Sequence, residues 1–80
     1  MKVPRDVDAD KLITIMKRYG YVVVRQTGSH IRLSKTLDNK NEHNITIPNH
    51  RPIKIGTLQN IASQVCAMNN LDIRKFYLEL

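Results

Sequence analysis

The chain reads as an α+β protein with the order α-β-β-β-α and a short closing helix. Three observations carry that reading. Leu12, Ile15, Met16 and Tyr19 near one end, and Leu58, Ile61, Ala62, Val65 and Met68 near the other, recur at three- and four-residue spacing, the helical period. Between them, Tyr21–Gln26 is rich in β-branched residues and Asn44–Ile47 alternates polar with apolar, as strands do. The joints are short and carry turn residues. A three-stranded antiparallel sheet with both long helices on one face buries both stripes and leaves the other sheet face open.

In chain order, residues 1–7 form a basic arm in which Pro4 prevents an early helix. Asp8 is placed to cap a helix over Ala9–Tyr19, and Gly20 stops it. Lys11, Lys17 and Arg18 fall off its apolar stripe. The first strand leads into Gly28-Ser29, and the second runs from His30 to about Thr36. Leu37–His43 is polar and reads as a loop, with His43 a plain loop residue. Ile45 and Ile47 point inward from the third strand, which Pro48 ends. Asn49–Pro52 is a second loop, and Ile53 and Ile55 anchor the next connection. Thr57 is the expected cap of the second helix, and Asn69-Asn70 closes it. Asp72 caps a last short helix that buries Ile73, Phe76 and Leu80.

Eighty residues make one domain, 1–80, which buries only about 60% of the surface its unfolded form exposes. That leaves little room for an enclosed active site, so chemistry belongs on an open face. The net charge is +6, and it is uneven. Residues 1–40 hold nine Lys/Arg against four Asp/Glu, and residues 41–80 hold four against three. A surplus clustered this way suggests a polyanionic partner, nucleic acid ahead of membrane; the bland alternative is a solubilising surface. Cys66 is the single cysteine; its apolar neighbours suggest a buried helical thiol rather than a nucleophile. No segment approaches the roughly 20 apolar residues that span a bilayer, and a cytoplasmic location is expected.

A Gly-led pair between β-rich runs signals a two-residue hairpin loop. That register puts Thr27 opposite His30, Arg25 opposite Arg32 and Val24 opposite Leu33. Arg25, Thr27, His30, Arg32 and Ser34 then share one face, while Val24, Gln26, Ile31 and Leu33 point to the core. Like charges facing each other across a hairpin normally cost stability, so a fold that tolerates them beside a histidine is suited to present them to an anion. From the pattern alone, His30 is either a solvent-exposed hairpin residue or a proton-transfer group.

A basic helix ending in Tyr19-Gly20-Tyr21, a strand running into Arg25-Gln26-Thr27-Gly28-Ser29-His30, then Ile45-Thr46-Ile47-Pro48-Asn49-His50, then Ile55-Gly56-Thr57-Leu58 with Ile61 resembles the HicA toxin family. The similarity extends to the closing Leu71–Phe76 segment. The resemblance implies a double-stranded-RNA-binding-domain-like fold used as a small ribonuclease, an mRNA interferase. It also implies restraint by a HicB-type antitoxin that covers the active surface, and a catalytic histidine at the position of His30. The chain departs from the family pattern in a longer polar segment at Leu37–His43, in Arg51-Pro52 where a glycine is usual, and in Gln64–Ala67.

RNA carries its own nucleophile, the 2′-hydroxyl, so an enzyme need supply only proton transfer and charge stabilisation. Histidine, with an ordinary pKa of about 6.5, suits the proton transfer. Arg25 and Arg32 are placed to hold the phosphate, Ser29 or Thr27 to orient the imidazole, and Gly28 to make the turn and let a backbone approach closely. His50 is either a second proton-transfer group or an RNA contact. No acidic cluster suits paired metal ions, and the histidine spacings of 13 and 7 fit no short zinc pattern, so neither a metal nor a cofactor is expected. The rival reading is a non-catalytic RNA-binding module of the same fold that uses Lys11, Lys17 and Arg18; a third is a degenerate toxin that only binds its antitoxin.

Overall fold

A computed structural model describes residues 2–80; Met1, the tip of the expected arm, lies outside the described residues. The elements are α1 (Ala9–Arg18), β1 (Val22–Thr27), β2 (His30–Thr36), β3 (Glu42–Pro48), α2 (Ile55–Asn69) and α3 (Ile73–Leu78). The strands form an antiparallel meander in the order β1-β2-β3. Along β2 and β3, Ile31, Leu33, Ile45 and Ile47 are buried while Arg32, Asn44 and Thr46 are exposed. All the helical packing therefore lies on one side, and the opposite sheet face is bare. This is the α+β arrangement that the periodicity predicts, and it is the double-stranded-RNA-binding-domain-like fold that the family resemblance implies.

In α1 the buried stripe is Leu12, Ile13, Ile15 and Met16, with Ala9. Asp8 occupies the cap position in extended backbone, but its side chain makes no capping hydrogen bond. The helix ends at Arg18 and Tyr19 is its cap residue, followed by Gly20 at φ 97°, a conformation that glycine adopts without steric cost. The arm is not free along its length: Val7 is buried, and its carbonyl accepts a 2.8 Å bond from the Ile53 amide.

The expected core face of β1 does not form. All six of its residues are exposed, Val24 and Gln26 included. The register shifts between Val23 and Arg25, so Val23, not Val24, stands opposite Leu33. An extra residue in one strand is a β-bulge, which bends and twists the strand locally. Of the two edge strands, β3 is covered by the helical layer together with the central β2, and β1 is left in solvent.

Two other boundaries move. β3 begins at Glu42, two residues before the expected Asn44, and takes in His43 from what reads as loop. Helix α2 starts at Ile55 with Lys54 as cap residue, and the Leu58 amide already reaches the Lys54 carbonyl at 2.9 Å. The helix is thus under way before Thr57 could cap it, and Ile55 is exposed rather than an anchor. At its far end Met68 is exposed and Cys66 is buried instead, since a stripe through Leu58, Ile61, Ala62 and Val65 continues to Cys66 at helical spacing. Asn70 closes the helix in the left-handed region at φ 54°, which Asn tolerates better than most residues. Asp72 caps α3 as expected, accepting 2.9 Å from the Arg74 amide. Phe76 and Tyr77 are the buried residues of α3; Ile73 and Leu80 are half-buried against the core.

Candidate active site on the open sheet face

Thr27 and His30 pair across the Gly28-Ser29 turn, so the loop has the expected two residues. Gly28 carries φ 57° and Ser29 has no positive φ. Positive φ at the first central position alone marks a type II′ turn, which suits the twist of a hairpin and favours glycine there. No other part of the chain lies within 4 Å of where a Gly28 Cβ would stand. Glycine is therefore needed for the backbone angle, and the space above the turn is open. The Ser29 carbonyl accepts a 2.6 Å bond from the Asn49 amide, which ties the turn to the segment after β3.

The register then places the chemistry. Arg25 stands opposite Arg32, and on the other side of β2 Arg32 faces Thr46 and His30 faces Pro48. Arg25, Thr27, His30, Arg32 and Thr46 line one shallow depression of about 250 Å³. Four of the residues singled out in the sequence are thus brought together. Gly28 and Ser29 form the adjoining turn without lining it. His50 lies outside: it is exposed in the loop after β3, where its amide donates to the Pro48 carbonyl and its carbonyl accepts from Ala9. Thr46 is the addition. Its position between the inward Ile45 and Ile47 already made it outward-facing, and that alternation was the available signal.

The electrostatics of the depression are cationic. Among the described residues the one ion pair is Arg51–Asp10, at 2.9 Å and well exposed. Arg25 and Arg32 consequently meet no carboxylate of their own chain, and none lines the depression. Two guanidinium groups and an imidazole over a hydroxyl-bearing floor suit a phosphodiester, which offers acceptor oxygens and negative charge.

The three histidines are separated. His43 is the correction to the sequence reading: it is not a loop residue but a buried group on the core side of β3. The Lys35 ammonium can only donate, and its partner is the Asn69 side-chain oxygen. The Asn69 amide nitrogen therefore donates, at 3.0 Å to the Tyr21 hydroxyl and 2.8 Å to the Val65 carbonyl. The Tyr21 proton is left to go to His43 Nδ1, 2.5 Å away, which makes His43 a neutral acceptor. Burial lowers the His43 pKa, with Gln64 opposing the shift, and burial likewise raises that of Tyr21. Both directions favour the uncharged pair. Among the described residues no group of three His, Cys, Asp or Glu is placed to hold a metal ion.

Lys11, Lys17 and Arg18 are exposed on α1, in the helical layer and away from the His30 face. Among the described residues no helix is long and apolar enough to cross a membrane.

Residues 9–65 match the family model described as the HicA toxin of bacterial toxin-antitoxin systems. That span covers α1, the whole sheet and most of α2, with every residue of the depression; the arm and α3 lie outside it. No curated protein and no solved structure matches the chain.

Proposed function

The chain belongs to the HicA toxin family and is a toxin of a toxin–antitoxin system; from that premise we propose that it acts as a metal-independent endoribonuclease on messenger RNA, with His30 moving the proton. The observation that carries this reading is the depression itself, where an imidazole stands among two unpaired guanidinium groups on a bare sheet face.

The steps need no group beyond these. His30 Nε2 or Nδ1 takes the proton of the ribose 2′-hydroxyl, whose oxygen then attacks the adjacent phosphorus. Charge builds on the non-bridging oxygens, and Arg25 and Arg32 are placed to offset it. The bond to the 5′-oxygen breaks, and that oxygen takes up a proton from water. The products are a 2′,3′-cyclic phosphate and a 5′-hydroxyl. Thr27 or Thr46 orients the imidazole or a phosphate oxygen, Gly28 and Ser29 hold the turn, and His50, in the loop after β3, contacts RNA beyond the scissile bond. An open sheet face favours a single strand, whose bases are free to splay, over a duplex. Restraint by a HicB-type antitoxin belongs to the same proposal, as do a cytoplasmic location and the whole span 1–80 as the functional domain.

Purified wild type and His30→Ala incubated with messenger RNA in EDTA test the reading. We expect degradation by the wild type alone. Equal degradation by both removes His30 from the mechanism, and complete inhibition by EDTA removes the metal-free scheme. The exposed Lys11, Lys17 and Arg18 favour a second reading, a non-catalytic RNA-binding module. It requires salt-sensitive binding without cleavage, and no growth arrest when the protein is induced.

A further inference from the structure

A second concavity shares no residue with the His30 depression. It is an open groove of about 700 Å³ between the N-terminal arm and α3, lined by the apolar Val3, Pro4, Tyr77 and Leu78 and by the cations Lys2, Arg5 and Arg74. Leu78 is 86% exposed, the most exposed large apolar side chain of the described residues. Neither arginine pairs with a carboxylate of the chain. From this geometry we propose that the groove is a docking site for a segment of a protein partner in which a large apolar side chain sits between carboxylates.

Each part of that chemistry answers a feature of the groove. A concave apolar wall rewards an inserted leucine or aromatic side chain, which removes Leu78 and the walls from water. The flanking arginines then meet carboxylates, which fix the register of the segment. RNA answers only the charges, since a phosphodiester gains nothing from aliphatic walls and Tyr77, being buried, offers no open ring face for base stacking. A bilayer surface has no side chain to insert into a concavity. A second copy of the chain lacks the motif: the apolar residues flanked on both sides by carboxylates are Val7 and Ala9, and both are buried. A toxin of a toxin–antitoxin system works with a protein partner, so such a surface has a use. The groove is lined by residues of the arm and α3, outside the span 9–65, and shares none with the depression, so its occupation leaves the His30 face open. The inference does not depend on RNA cleavage.

The probe is an end-capped peptide, Glu-Asp-Leu-Phe-Asp-Glu, titrated into ¹⁵N-labelled full-length His30→Ala protein. We expect amide shifts at Val3, Arg5, Arg74, Tyr77 and Leu78 and none at Thr27–Arg32. Affinity should drop roughly three- to tenfold in Arg74→Glu, as for an exposed charge contact, and about tenfold or more in Leu78→Asp, as for an apolar anchor. Both side chains are exposed, so neither substitution threatens the fold. A control peptide with Ser for Leu and Phe should not bind. Equal binding by that control, shifts centred on the His30 face, or no response at millimolar peptide would overturn the proposal. Phosphatidylglycerol vesicles that bind through Leu78 where the peptide does not would also overturn it, assigning the groove to a membrane. A concentration-dependent shift of these residues without peptide would overturn it in favour of self-association.

Discussion

At the scale of single residues, the site rests on side chains whose only environment is solvent, so their removal should be visible in chemistry and not in stability. His30→Ala should lower RNA cleavage by about 10²- to 10⁴-fold, the usual worth of a proton-transfer group. Its unfolding midpoint should stay within about 0.5 kcal/mol of wild type, as for other exposed positions; both follow from parallel gel and urea measurements. Gly28→Ala should behave in the opposite way. The open space above the turn removes any clash, leaving the cost of φ 57° alone, about 1 kcal/mol by urea unfolding. His30, Arg25, Thr27 and Arg32 were legible because alternation in a two-residue hairpin settles which side chains share a face. His43 was not. Its neighbours Asn41, Glu42 and Asn44 are polar, and only the partners Tyr21 and Asn69, distant in sequence, make its burial favourable.

At the scale of elements, the polar chain Lys35–Asn69–Tyr21–His43 ties β2, the end of α2, the entry to β1 and the start of β3 together. It is built for a neutral imidazole. The folded His43 pKa lies below 6.5, so as pH falls through that value the unfolded chain binds a proton that the folded chain does not. Stability must therefore decline toward acid until the folded imidazole also protonates. Urea unfolding between about pH 7.5 and pH 5.5 should show this decline. His43→Asn, whose oxygen keeps an acceptor where Nδ1 stood, should show a flatter profile. Helix and strand order was legible from periodicity, but the boundaries were not. The bulge at Val24 arises from pairing rather than propensity, and nothing in Val22-Val23-Val24 distinguishes an edge strand from a central one. The same helical period that put Leu58 and Val65 inside also puts Cys66 there; extending the stripe to Met68 overran its width.

At the scale of the whole molecule, a one-sided sheet is what leaves 80 residues with a whole face free for the proposed chemistry. The core occupies one face, so Leu33→Ala, with the side chain fully buried, should cost about 2–5 kcal/mol. That is a large share of the 5–15 kcal/mol typical of a folded domain, and thermal unfolding measures it. The other face carries no packing duty and is free for charge. With a net charge of +6, the proposed RNA binding must weaken with salt. Arg25→Gln with Arg32→Gln should therefore reduce both cleavage and the slope of log affinity against log salt, measured on the His30→Ala background for binding. The cationic half-chain was legible as a count, but the separation between the His30 face and the apolar groove beside α3 was not. Val3 and Leu78 are far apart in sequence, and only the packing of the arm beside α3 makes them neighbours.

The most direct measurement is of the ends left on a short RNA cut in EDTA, read by mass spectrometry for wild type and His30→Ala. Attack by the 2′-oxygen requires a 2′,3′-cyclic phosphate on the upstream fragment and a 5′-hydroxyl on the downstream one, from the wild type only. A 3′-hydroxyl at the cut, or the same fragments from His30→Ala, would contradict proton transfer by His30 on the open sheet face.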